Sequence, residues 1–543
     1  MIAGRDEAWT TSRQMIILPG DDESSYHRDD SRDALTVDEM LSLHVGGVGR
    51  AQVRHFMLAS VAWVPAAFLT LMSVFTERNP AWRCTSISPD GCGDNDICDL
   101  RDDEWEWVSK PASIVSEWNL ICDEQWKVSA SDSMFFLGFF FGAGMFGQLS
   151  DISGRRTGMY TSLCVGGFGA AISAATFNFW EYFFARFIIG FGVGGIGVSS
   201  FVLSTEPLGV DWRGVFGIAT QYWWAVGICL NSGLAALVTE WRALTFLNVA
   251  LTLAYCLGSA PFLHESPRWL LIAGKQDKAL KVLTAMAKGN GQEIPADGLP
   301  PLKQSSSTSG GSTVSIRALF PYPVLRLRLF AMSFIFVANS MVYYGLSLNV
   351  GALGGSIYWN NFLSGLVDMS SYAFAQVFVD VVGRNRTLKF CLGLAGVGCL
   401  VSGFATGAAK TGVALTGRFG IAASFDIIFL YTAELFPTVV RSAAVGICST
   451  VARLGGIAAP QIILLQSITP SFPFLIFGST AIAAYFTATL LPETKGVVLA
   501  ETLAGAARQA EMGANTRFYQ LDAGDFEEDE ETLPQGSQQN EHI

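Results

Sequence analysis

Only 15% of this 543-residue chain is Asp, Glu, Lys or Arg, so the positions of these residues carry most of its chemistry. Three charges stand alone inside long apolar runs: Asp368 in SGLVDMSSY, Asp426 in ASFDIIF and Arg453 in STVARLGG. Arg453 lies eleven residues past Ser442, about 16 Å along a helix, too deep for a simple snorkel to an interface. An acid and a base so placed either pair with one another or hold a cation and a carboxylate. Tyr222, Trp223, Trp224, Tyr343 and Tyr344 offer cation–π faces, although aromatics at this density also make ordinary core packing. Gln221, Asn349 and Gln376 can add hydrogen bonds.

A second set of charges occurs twice. DISGRR, from Asp151, returns as DVVGRNR, from Asp380. ARFIIGFG with Arg186 is echoed by GRFGIAAS with Arg418, and TEPLGVDWRG by AELFPTVVRS, where Glu206 and Arg213 match Glu434 and Arg441. HESPRW around Glu265 matches LPETKG around Glu493. One order at a nearly constant offset marks an internal duplication. Asp151, Arg155, Arg186, Glu206 and Arg213, with Asp380, Arg384, Arg418, Glu434 and Arg441, are therefore expected to form two acid–base gates at one end of the molecule. The plainer reading is that these charges only mark the interface.

The elements that position these residues follow from hydropathy. Half of the residues are hydrophobic, and uncharged runs such as Phe56 to Thr76, Ser133 to Ser150 and Leu454 to Pro492 give twelve spans of membrane-crossing length. Such runs satisfy the backbone in lipid as helices, which excludes a barrel; a soluble protein with several buried helices would need more amphipathic cover than the chain offers. The offset covers six spans, so the expected fold is an all-α polytopic membrane protein of two parallel-repeat halves. The expected divisions are a cytoplasmic tail 1–53, a six-helix half 54–263 with an extracellular loop 77–128, a cytoplasmic connection 264–326, a second half 327–492 and an acidic cytoplasmic tail 493–543. The Lys and Arg of the connection set that orientation. No cleavable signal is expected before Phe56, and the tails carry much of the net charge of −12. Cys84, Cys92, Cys98 and Cys122 in the loop read as two disulfides of open pairing, or as a zinc site at less suitable spacing.

DISGRR and its repeat resemble the loop signature of the major facilitator superfamily. SEWNLICDEQW, HESPRWLL, YYGLSLN and IFLYTAELFPTVVRSAAVG narrow the resemblance to the organic cation, organic anion and carnitine transporter family. It runs from near Gly46 to about Lys495. It implies a plasma-membrane transporter working by alternating access, with a small organic ion as substrate, the bilayer as its setting, a coupling ion or counter-substrate open, and cytosolic proteins as candidate partners of the tails. Cation-selective relatives carry an aspartate where Arg453 stands, whereas carnitine-type and anion-type relatives carry arginine. Anion-type relatives also tend to carry lysine at the place of Tyr372. The resemblance thus points to zwitterions or carboxylate-bearing solutes, with organic cations or anions as the alternative. Two features depart from the family: the loop lacks an Asn-x-Ser/Thr sequon, and its cysteine set is shorter than in many animal members. There is no ATP-binding fingerprint, hydrolytic triad, metal cluster, cofactor motif or nucleic-acid signature, so an enzyme is not expected. A receptor that binds without flux is the reading from another class.

Overall fold

The computed structural model describes residues 35–85, 97–101, 103–295, 298–302, 316–497, 500 and 502–508. Eleven helices are long and apolar enough to cross a membrane: Arg50–Thr76, Cys122–Ser153, Arg155–Ala175, Phe179–Thr205, Trp241–Ser259, Pro323–Ala352, Ile357–Val381, Arg384–Phe404, Gly407–Leu435, Arg441–Ser467 and Phe472–Thr489. The remaining expected span is split at Thr220 into Arg213–Ala219 and Gln221–Leu237. The Thr220 hydroxyl donates to the Gly217 carbonyl at 2.6 Å, a local bond that competes with the helical ladder. Counting the split helix fifth, these are spans 1 to 12 in chain order.

Spans 2 and 4 pack so closely that side chains are excluded at the contact. A Cβ on Gly142 would lie 1.9 Å from the Phe191 carbonyl oxygen, and one on Gly190 1.9 Å from that of Phe135. Close backbone approach through small residues is the usual means of helix association where lipid removes a hydrophobic driving force.

At one end, here the loop end, a short antiparallel pair joins Trp82–Cys84 to Trp105–Trp107. Ile114–Trp118 then seats Trp118 against Tyr182 and Trp241. Cys98 and Cys122 form a disulfide, and Cys84 is also disulfide-bonded; Cys92 lies outside the described residues.

The opposite, tail end carries a short helical segment ahead of span 1. The short segment Val37–Met40, capped by Thr36 and Glu39, leads into Leu41–Val45. Its Val37, Met40, Leu41 and Val45 pack on Pro267–Ile272 and Gln276–Asn290 in one buried cluster with Trp269, Leu283 and Met286. The amphipathic residues before span 1 thus rest on the segment between the halves.

Candidate functional site: the seam between the halves

Span 2 runs antiparallel to span 11, and span 5 to span 8, across the seam. Ser133 donates to the Ile457 carbonyl at 2.8 Å and receives Gln461 at 2.9 Å. Asn361 donates to Ser232 at 2.8 Å, and Trp224 Nε1 to the Tyr343 hydroxyl at 2.7 Å. Arg78 reaches Tyr358, and Cys229 the Phe362 carbonyl. Among the described residues these are the side-chain hydrogen bonds between halves, and they lie from mid-span to the loop end. None joins the halves at the tail end.

Asp368 is not free. Arg418 Nε and Nη2 donate to its two oxygens at 2.9 and 2.8 Å, and Tyr343 adds a third donor at 2.9 Å. Arg418 also donates to Ser347 at 2.8 Å, and both charged residues are buried. Of the alternatives open for Asp368, pairing with Arg453 is excluded, and its carboxylate is taken by Arg418 rather than left for a substrate. The expectation for Arg418 is corrected: it does not belong to a gate at the tail end, because it enters span 10 from the loop side.

The same correction holds for Arg186, seven residues into Phe179–Thr205. It lies about 30 Å along the helix from Glu206 and so cannot meet it. Instead its Nη2 donates to Asp132 at 2.6 Å and its Nε lies 3.3 Å from Glu77, which also accepts from Tyr182 and Ser131 at 2.9 Å each.

With Asp368 consumed, Asp426 and Arg453 are the mid-span charges left over in spans 8, 10 and 11. Among the described residues neither has an ion-pair partner, and Asp426 Oδ2 and Arg453 Nε are buried without a hydrogen bond. The Arg453 guanidinium lies over the Phe139 ring of span 2, 4.1 Å from its centroid. Asp426 is near enough to Tyr222 and Tyr372 to interact electrostatically with both. Those two rings meet edge-on across the seam at 5.7 Å, and Phe136 meets Tyr344 at 4.6 Å. Trp223 is half-buried and takes no part in the Trp224–Tyr343–Asp368 chain of bonds. Phe139 was not singled out by sequence, since one phenylalanine in FFLGFFFG carries no distinguishing signal.

At the tail end each DxxGR turn does form a network, within its own half. Arg155 pairs with Asp151 and lies 3.6 Å from Glu206; Arg384 lies 3.2 Å from Asp380 and 3.1 Å from Glu434. Two further acids, read in the sequence only as repeat markers, complete these turns. Glu265 accepts from the Arg156 backbone N–H at 3.1 Å, and Glu493 from that of Arg384 at 2.7 Å, so each caps the start of the following helix. The motif glycine is required on two counts. Gly154 and Gly383 adopt φ of 109° and 116°, and a Cβ there would lie 2.3 Å from Glu265 and 2.6 Å from Glu493. Burial works against the Glu493 carboxylate, but backbone donors from Lys495, Arg384, Arg386 and Asn385 outweigh it and hold the group below the usual carboxylate range.

The outer arginines of the repeat differ from expectation. Arg213 pairs with Asp38 at 2.5 Å rather than with Glu206, and Arg268 joins the same carboxylate while donating to the Glu206 carbonyl at 3.0 Å. Arg441 has no ion-pair partner among the described residues, and its Nε and Nη2 are buried without hydrogen bonds.

Twelve helical spans in duplicated halves, with ion-pair clusters inside each half and unpaired charges at the seam between them, define a membrane transporter. The sugar (and other) transporter family model matches residues 108–504. Organic cation/carnitine transporter 4 of Arabidopsis thaliana is 37% identical over 500 residues, covering 90% of this chain and 94% of its own. Solute carrier family 22 member 15-like of Xenopus laevis is 37% identical, covering 85% and 94%, and the organic cation transporter-like protein of Drosophila melanogaster is 31% identical, covering 86% and 92%. The xylose transporter XylE of E. coli, in its inward-open structure, shares the fold at TM-score 0.58 and 16% identity, over 84% of this chain and 99% of its own. This chain belongs to the organic cation, organic anion and carnitine transporter family of the major facilitator superfamily, a multi-pass membrane protein and not an enzyme.

Proposed function

We propose that the protein moves small zwitterions or carboxylate-bearing organic ions across the plasma membrane by alternating access. The observation that carries this reading is that Arg453 and Asp426 keep unpartnered buried atoms at the seam while the third lone charge of the second-half spans, Asp368, is fully paired. A planar guanidinium presents two parallel donors to a substrate carboxylate, and Asp426 among Tyr222 and Tyr372 suits an ammonium group. Trp224, Tyr343 and Asp368 hold the wall in place, and Tyr344 and Phe139 line the Arg453 side. Organic cations are the second reading, favoured by the names of the relatives; carnitine-like compounds satisfy both.

The loop end faces outside and the tail end the cytoplasm in this proposal, with the lysines and arginines near residues 268 to 288 on the inner side. Among the described residues no side-chain hydrogen bond ties the halves together at the tail end, whereas several do from mid-span to the loop end. Closure there follows from helix register. Five turns, about 18 residues, from Ser133 toward the tail end of span 2 reach Asp151; the same step from between Ile457 and Gln461 along span 11 reaches Arg441. The same step from Ser232 and Asn361 reaches Arg213 and Asp380 to within one residue. Asp151–Arg441 and Arg213–Asp380 are therefore the two cross-half gate pairs that form when the tail end closes. A coupling ion, a counter-substrate and tail-binding proteins are further candidate partners.

Flux into proteoliposomes of a labelled carnitine-like zwitterion, a simple carboxylate and a simple quaternary ammonium tests the site. Arg453→Ala is expected to weaken uptake of the first two by tenfold or more while sparing the third, and Asp426→Asn to weaken the first and third, each about 1.4 kcal/mol or more of lost binding. Wild-type affinity of folded Arg453→Ala for every carboxylate would overturn the assignment.

A further inference from the structure

We infer that the segment 36–45 is a built-in latch that holds the tail end open by keeping Arg213 away from Asp380. The inference rests on the gate register proposed above and adds a regulatory element to it. Asp38 accepts from Arg213 at 2.5 Å and from Arg268 Nη1 at 3.2 Å, so one carboxylate ties the start of span 5 to the turn after span 6. Arg268 extends the tie to the end of span 4 through the Glu206 carbonyl.

The carboxylate is held in place. Thr36 Oγ1 accepts from the Glu39 N–H at 3.2 Å, and the Glu39 carboxylate accepts from the Thr36 N–H at 2.8 Å, closing a capping box around Asp38. Val37, Met40 and Leu41 anchor the segment in the buried cluster on Gln276–Asn290, and the Gly209 N–H donates to the Gly47 carbonyl at 2.9 Å next to the turn that carries Arg213. Burial opposes ionisation of Asp38, but the two guanidiniums outweigh it and keep the group charged below the ordinary carboxylate range.

The other half supplies the control. Arg441 occupies the place of Arg213 in the repeat, the sequence shows no second copy of the segment, and Arg441 has no ion-pair partner among the described residues. Asp380, the register mate of Arg213, has a side chain 71% exposed, and among the described residues its ion pair is with Arg384 of its own turn. Arg213 thus has two competing acids: Asp38, bound in this arrangement, and Asp380, its register mate across the seam. A ligand that binds one state alone shifts the balance toward that state, and here the ligand is part of the chain.

Spin labels at Ile152→Cys and Val439→Cys, both exposed positions at the tail end, report the opening by pulsed electron resonance in a Cys164→Ser background. Asp38→Asn, close in shape to the original residue, is expected to raise the short-distance population roughly fivefold relative to the parent. Asp380→Asn alone should lower that population, and in the double variant the Asp38→Asn gain should disappear. If Asp380→Asn lowers the short-distance population but Asp38→Asn leaves it unchanged, the gate stands and the latch is wrong. An Asp38→Asn gain that persists in full without Asp380 also overturns the latch, because Arg213 is then not being released to that acid. If Asp380→Asn has no effect, the gate register itself fails and the latch with it. Monodisperse elution and an unchanged unfolding temperature are required of each variant.

Discussion

Arg186 and Arg418 hold matching places in spans 4 and 10, yet Arg186 faces two carboxylates from spans 1 and 2 while Arg418 faces one carboxylate and two hydroxyls. The contrast extends along the same spans. Asp426 and Arg453 correspond in the first half to Gly194 and Ala225, which are packed against helix backbones or buried. The first half therefore contributes rings to the seam, Phe139 and Tyr222, and the second half contributes the unpaired charge. Duplication set the scaffold, and divergence put the costly groups on one side, so that one half acts as an apolar wall against which the other presents charge. A buried charge must be paired, and an unpaired one is tolerated where a ligand completes it.

The largest expected effect separates the two arginine clusters. Asp368→Ala leaves Arg418 buried without any counter-charge and should cost about 3–5 kcal/mol, seen as lost abundance and a lower unfolding temperature. Asp132→Ala leaves Arg186 with Glu77 and should cost clearly less. Equal losses would mean that Glu77 does not serve as the second partner.

A smaller effect should be the same in both halves. Gly154→Ala and Gly383→Ala each force a side chain into a positive-φ turn against a capping carboxylate, at about 2 kcal/mol each. A tolerated alanine at either position would show that the carboxylate of that half can swing away.

The smallest effect concerns the caps themselves. Glu493→Gln keeps the shape and removes the charge, at about 1 kcal/mol near neutral pH. Because the folded-state pKa of Glu493 is depressed, its contribution is fully present above the unfolded carboxylate value near 4.3 and is lost as pH falls through the lower folded value. The difference in unfolding temperature between wild type and Glu493→Gln should accordingly shrink on acidification below about pH 4. A difference that stays constant down to pH 3 would assign the effect to packing.

Much of this was legible in the sequence, for definite reasons. Apolar runs of bilayer length admit only helices, a repeat offset of six spans requires parallel halves, and a lone arginine in an apolar run is conspicuous. The disulfide-bonded loop was equally readable, because four cysteines clustered among polar residues have few alternatives. Which acid meets which base was not legible. Arg186 and Arg418 sit toward the opposite end of their spans from the expected gate, and Arg213 takes an acid from outside the repeat, since pairing depends on which faces of distant helices meet. Asp38 lies 175 residues from Arg213, a separation that no local pattern spans. Composition and periodicity fixed the number, type and symmetry of the elements, because these follow from the solvent each segment must satisfy. Only the packed structure decided which charges are spent on one another and which remain for a ligand, because that depends on side-chain register across the seam.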